Sequence, residues 1–200
     1  MASSLYKTAT ILIGTMCAMA PLQLATPGAV TTVLAQESTK VPVVTSAGLK
    51  PDIEVPWSRL VKVEDPFEGN FLAVFDYNTL QGYSYRSRKV ISLWSRNSIR
   101  ILLNSTLRQC DIAYRANYLG SDCVRVNGAN TVRQLYIKVG NRVLRLAGEN
   151  GNFTVSNDVA SVLKQAPTTE NAKIRLVLEG GETVDSEVGK KTVQAWRAIY

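Results

Sequence analysis

From Trp57 onward the chain is a succession of short apolar stretches separated by turn residues, and this rhythm decides the class of fold. Side chains alternate between the two faces of a strand, so a hydrophobic period of two marks a half-buried strand. The stretch "VRQLYIKVGNRVLRLA", residues 132–147, carries the pattern on both sides of Gly140-Asn141. Such a pair suits a two-residue hairpin turn with glycine first. The turn sets Ile137 opposite Leu144 and Leu135 opposite Leu146 inside, with Tyr136 opposite Arg145 outside. "NFLAVFDYN" reads as a strand with Phe71, Ala73, Phe75 and Tyr77 on one face. "YSYRSRKVISLW" and "SIRILLN" pair across "SRNS", which predicts Trp94 opposite Ile99 and Val90 opposite Leu103.

One segment has helical spacing instead. "SNDVASVLKQAP" offers Ser156 or Asn157 as N-cap and Asp158 in the first turn. Val159, Val162, Leu163 and Ala166 follow a helical period, and Pro167 stops it. "AKIRLVLEGG" returns to alternation through Ile174, Leu176 and Leu178. The closing "TVQAWRAIY", rich in β-branched and aromatic residues, is read as a strand. The expected fold is mainly β (α+β): an antiparallel sheet, sandwich or barrel-like, with one short amphipathic helix. A seam between two halves is placed at residues 127–130, "NGAN", within one continuous unit over 57–200.

The N-terminal stretch does not fit this pattern. Lys7 is its only early charge, an apolar run follows, and "VLA" at residues 33–35 precedes the polar "QESTK". That order is the signature of a secretory signal, which predicts cleavage after Ala35 and export to a periplasmic or extracellular space. Pro21, Pro27 and Gly28 interrupt the run short of the roughly 20 apolar residues a membrane span needs. Cys17 follows Met16 rather than the small residue of a lipoprotein signal. Residues 36–56, with three prolines and little periodicity, read as a flexible or extended leader. Removing residues 1–35 takes Lys7 and no acid, so 23 cationic residues become 22 against 16 acids, a net charge of +6.

After cleavage two cysteines remain, Cys110 and Cys123. An oxidising compartment and an even count favour a disulfide between them. The spacing is not C-x-x-C, and the chain contains no histidine to complete a zinc site or to activate a thiol. With Cys110 opposite Cys123, Ile112 faces Ser121 and Tyr114 faces Leu119 in a hairpin turning around Asn117. A second register turns at Gly120–Asp122 and moves Cys123 beside Tyr118.

Little else offers chemistry. The absence of histidine removes Ser-His-Asp and Cys-His arrangements. "SVLK", Ser161–Lys164, matches S-x-x-K, but so does "SLYK" in the signal region, and the companion motifs are missing. Glu64, Asp65 and Glu68 form one acidic cluster, and Glu179, Glu182, Asp185 and Glu187 another. Both lie beside glycine in turn-like stretches, where solvated loop acids explain them. "DYNTLQG", residues 76–82, departs from a calcium loop at Leu80 and Gln81. No metal or other cofactor is implied.

What remains is surface. "QGYSYRSRK", residues 81–89, interleaves Tyr83 and Tyr85 with Arg86, Arg88 and Lys89, a candidate patch for an anionic partner. Export argues against nucleic acid and favours an anionic envelope polymer or an acidic protein. The leading expectation is therefore a non-enzymatic, exported, disulfide-stapled module that binds a partner or supports an envelope structure. An inhibitor or assembly factor is not separable from it. The alternative is an envelope enzyme acting on a polysaccharide through carboxylates or a Ser/Lys pair. The two differ in geometry: an enzyme needs titratable groups converging in a cleft, a binder a broad basic or aromatic face.

Overall fold

The computed structural model describes residues 40–81, 86–115 and 118–200, and side chains at all of these except 81, 109–115 and 118–123. The signal-like segment, Tyr83, Tyr85 and Asn117 lie outside the described residues. The strands run β1 (Val43–Val44), β2 (Leu60–Asp65), β3 (Gly69–Gln81), β4 (Arg86–Ser95), β5 (Ser98–Arg115), β6 (Tyr118–Asn130), β7 (Val132–Val139), β8 (Arg142–Glu149) and β9 (Asn152–Thr154). Helix α1 (Asn157–Lys164), β10 (Ala172–Leu178), β11 (Thr183–Val188) and α2 (Lys190–Ile199) complete the chain. The eleven strands form one sheet in the order β1-β2-β3-β4-β5-β9-β8-β7-β10-β11, with β6 beside β5. The sheet curls without closing into a barrel.

The curl brings two layers face to face. Val74, Trp94, Ile99 and Leu103 of β3–β5 pack against Leu135, Ile137, Leu176 and Val184 of β7, β10 and β11 in one core. Residues 127–130 are the end of β6, paired with 103–106 of β5, and lie within the compact unit Thr39–Tyr200. The expected registers hold: Trp94 opposite Ile99, Val90 opposite Leu103, Ile137 opposite Leu144 and Tyr136 opposite Arg145. Cys110 lies opposite Cys123, with Ile112 opposite Ser121 and Tyr114 opposite Leu119, so the backbone adopts the first of the two hairpin registers. The thiols themselves lie outside the described side chains. Beyond the end of β4, residues 108–115 of β5 pair with β6 alone as a two-stranded ribbon.

Two features depart from expectation. The closing segment is a helix, the second one rather than a strand. Its β-branched and aromatic residues favour a strand locally, but Val193, Trp196 and Ile199 also fall on one helical face and are buried. The Trp196 ring packs against Trp94 with centroids 4.7 Å apart and planes tilted by 44°. The helix start is fixed from far away in sequence. Gly189 provides no side-chain cap, and the buried Asp76 carboxylate accepts hydrogen bonds from Gly189 N (3.2 Å), Thr192 Oγ1 (2.6 Å) and Ser58 Oγ (3.0 Å). Tertiary burial and a remote cap override the local propensity.

The leader is the second difference. Its residues 40–56 are extended but packed, not free. Val43-Val44 pairs in parallel with Lys62-Val63, and Ala47 is fully buried. Val44, Leu49, Ile53 and Val55 close over Val61, Val63, Ala73, Phe75 and Leu93 on the far side of β2–β4. This second cover buries both faces of the sheet there. It explains why Ala73–Phe75 and Val90–Trp94 are buried at successive positions instead of alternate ones.

Candidate anion-binding cleft

The pairing of β8, β7, β10 and β11 arranges the outward side chains of this layer in rows. Register sets Val143, Lys138, Lys173 and Glu187 side by side, and next to them Arg145, Tyr136, Arg175 and Asp185. The intervening residues point into the core, so these must face outward. All of these except Arg145 line a cleft of about 880 Å³ that runs past the β11 edge to Asn78 and Leu80 of β3. There the layers meet through side chains, Asn78 Nδ2 donating to Ser186 Oγ at 3.1 Å.

In the second row Arg175 and Asp185 neutralise each other. Arg175 donates to both Asp185 oxygens, at 2.5 and 2.9 Å. These bonds hold the Asp185 carboxyl below its usual range and the Arg175 guanidinium above its own. Arg145 lies 5.6 Å from the Tyr136 ring centroid, and both side chains donate to Gln134 Oε1 at 3.2 Å.

The first row is not neutralised. Lys138 and Lys173 stand directly opposite each other. Directly paired residues have Cβ atoms about 5 Å apart, and like charges there repel. Glu187, the register partner of Lys173 on its other side, accepts from Asn171 Nδ2 at 2.9 Å instead. Among the described residues neither lysine belongs to a salt bridge. Beside them Val143 is 62% exposed. An anion 4 Å from a lysine gains about 1 kcal/mol at the dielectric of water and about 4 at an effective dielectric near 20. Two such lysines hold a free small anion only weakly, since 1 mM affinity already requires about 4 kcal/mol. Tight binding at this site needs a partner that adds apolar contact or several charges at once.

Of the patch expected from the sequence, Arg86, Arg88 and Lys89 lie among the described residues. Arg86 is exposed, opposite Leu107. Arg88, on the same face, reaches across to Glu182 at 2.5 Å. Lys89 points to the other face, where its Nζ donates to the Pro51 carbonyl at 2.9 Å and sits 5.3 Å from the Tyr77 ring. Of the acidic clusters, Asp185 and Glu187 both line the cleft, Asp185 tied to Arg175 and Glu187 bonded to Asn171, while the others are paired elsewhere. Glu64 pairs with Lys62, Glu68 with Arg100, Glu179 with Arg133, and Asp65 accepts backbone N–H groups from Ala47, Phe67 and Glu68. Ser161 bonds back to Asn157 O on the exposed face of α1.

The carboxyl that burial pushes up is Asp76, and it lies beneath the start of α2, committed to its three donors. Among the described residues no three potential metal ligands gather, and no helix is long and apolar enough to cross a membrane. The chain matches no protein-family model, no curated protein and no solved structure.

Proposed function

We propose that this protein is an exported, non-enzymatic binding module and that the cleft over β7, β10 and β11 receives an acidic protein surface. The observation that carries the reading is the unneutralised pair Lys138 and Lys173, set opposite each other beside exposed Val143. A protein partner is favoured over a purely charged polymer because Val143, Val177 and Leu80 line the same cleft and gain from apolar contact. Export rests on the N-terminal pattern and the "VLA" step. A Cys110–Cys123 staple is supported by the register that sets the two residues opposite, since a disulfide needs Cα atoms within about 7 Å.

The test is a fluorescence-anisotropy titration with a labelled peptide of alternating glutamate and phenylalanine, run beside alginate as a carboxylated polymer without apolar groups. The peptide binds more tightly than alginate. The Lys138→Glu/Lys173→Glu variant weakens it at least tenfold, the loss of about 1 kcal/mol or more at two sites. Arg86→Glu, outside the cleft, has little effect. Equal binding by the parent and the double lysine variant would falsify the assignment of the site.

A further inference from the structure

At the opposite end of β3 from the cleft, the β2–β3 turn holds Phe67, which is 96% exposed. Isolated exposed apolar residues are ordinary. This one is displayed on a turn held from several sides. Asp65 Oδ1 accepts from Phe67 N at 2.9 Å and Glu68 N at 3.1 Å, and its Oδ2 accepts from Ala47 N at 3.0 Å. Gly69 takes φ +81°, a conformation that glycine adopts freely. Arg100 grips both Glu68 oxygens, NH1 to Oε1 at 2.7 Å. On the adjoining strands Leu72 is 43% and Val43 48% exposed, and both lie in register with Lys62 on one face. The backbone that carries the ring is therefore already ordered, which lowers the entropy cost of using this aromatic side chain as an interface anchor.

The charge around the ring completes the picture. The turn carries Glu64, Asp65 and Glu68 against Lys62 and Arg100, one carboxylate in excess. The lining of the cleft carries Lys138, Lys173 and Arg175 against Asp185 and Glu187, one cation in excess, beside exposed Val143. An acidic knob with an aromatic tip and a basic cleft with apolar lining thus occur on one chain. Within a copy they cannot meet. Gly69 and Asn78 belong to the same strand, and at about 3.4 Å per residue the turn and the cleft stand roughly 30 Å apart.

We propose that the Phe67 turn of one copy seats in the β7–β10–β11 cleft of a second copy, so that the protein assembles head to tail. The inference rests on reading the cleft as the acceptor of an acidic protein surface, and it names this chain as that partner. Knob and cleft are different surfaces, so the contact is heterologous. It builds rings if the rotation closes and open chains if it does not.

Sedimentation velocity on the full chain tests this. The parent shows a sedimentation coefficient that rises with concentration and falls back with added salt, because exposed charges are screened. Phe67→Ser removes the knob and Lys138→Glu/Lys173→Glu the cleft. Both changes are at exposed positions, and each variant alone sediments as a monomer at every concentration. Mixed in equal amounts they form a dimer and nothing larger, since one retains only the cleft and the other only the knob. A mixture that stays monomeric, or a Phe67→Ser variant that assembles like the parent, overturns the proposal. If the parent is monomeric throughout yet binds the acidic peptide through Lys138 and Lys173, self-assembly is refuted and the acceptor reading of the cleft stands. If the peptide also fails to bind, both fall.

Discussion

Ile137 gives the most demanding check on the register that builds the cleft. It is fully buried, opposite Leu144 on β8 and Ile174 on β10, so its side chain lies in the layer that joins the two halves of the core. Its neighbour Lys138 is exposed between Val143 and Lys173. Ile137→Ala removes buried methyl and methylene groups and leaves a cavity, a loss of about 2–5 kcal/mol. For a unit of this size each kcal/mol lowers the melting temperature by about 2–4 °C. Ile137→Asp adds the cost of burying an unpaired carboxylate, several kcal/mol more, against a total stability on the order of 5–15 kcal/mol, and abolishes cooperative folding. Lys138→Asp exchanges a repulsive Lys–Lys pair for an attractive one worth about 0.2–1 kcal/mol, offset by the poor strand propensity of aspartate, and stays near the parent. Thermal melts followed by circular dichroism compare the three variants. Similar melting temperatures for Ile137→Asp and Lys138→Asp would mean that Ile137 does not face the core, and the rows of the cleft floor would be wrong with it.

Asp76 sets a pH dependence with a definite sign. Its folded pKa is raised by burial, so its stabilising contribution is complete below the unfolded value near 3.8 and is lost as pH rises through the folded value. The stability of the parent relative to Asp76→Asn accordingly declines as pH rises from about 3.8 toward the folded value and levels off above it; a difference that grows with pH contradicts it. Gly151 has φ +76°, and a Cβ there lies 2.1 Å from Ile101 O, so Gly151→Ala loses at least about 2 kcal/mol in denaturant unfolding, and a variant as stable as the parent refutes the strained approach of β9 to β5. Non-reducing mass spectrometry of the protein prepared without reductant finds Cys110 linked to Cys123 with no free thiol. Cys110→Ser lowers stability by about 2–4 kcal/mol and leaves peptide binding intact below the melting transition; unchanged melting with lost binding assigns the cysteines a functional role instead.

Local pairing was legible in the sequence where a turn and an alternation agreed. Gly140, at φ +55°, supplies the turn that aligns Ile137 with Leu144, and "SRNS" aligns Trp94 with Ile99. The α1 cap was legible too: Ser156 Oγ accepts from Val159 N at 3.3 Å. What escaped was decided at long range. Helix α2 has its helical spacing in Val193, Trp196 and Ile199, but the carboxylate that anchors its start belongs to β3. The leader's apolar residues lack a period because they cover a sheet face in an irregular path. The cleft was invisible for the same reason. Lys138 and Lys173 become neighbours only because β10 returns beside β7 after α1, whereas the basic run at 86–89 is contiguous in sequence, with Arg88 paired to Glu182 in the fold.

The most direct test of the cleft as the binding site is amide chemical-shift mapping while the glutamate–phenylalanine peptide is titrated into the protein. The account predicts the largest shifts along 136–138, 143–145 and 173–175, with saturation tracking the anisotropy curve and loss of the shifts in Lys138→Glu/Lys173→Glu. Shifts centred instead on Arg108 and Arg125 of the β5–β6 ribbon, or on Arg86, with 136–138 and 173–175 unmoved, would contradict it.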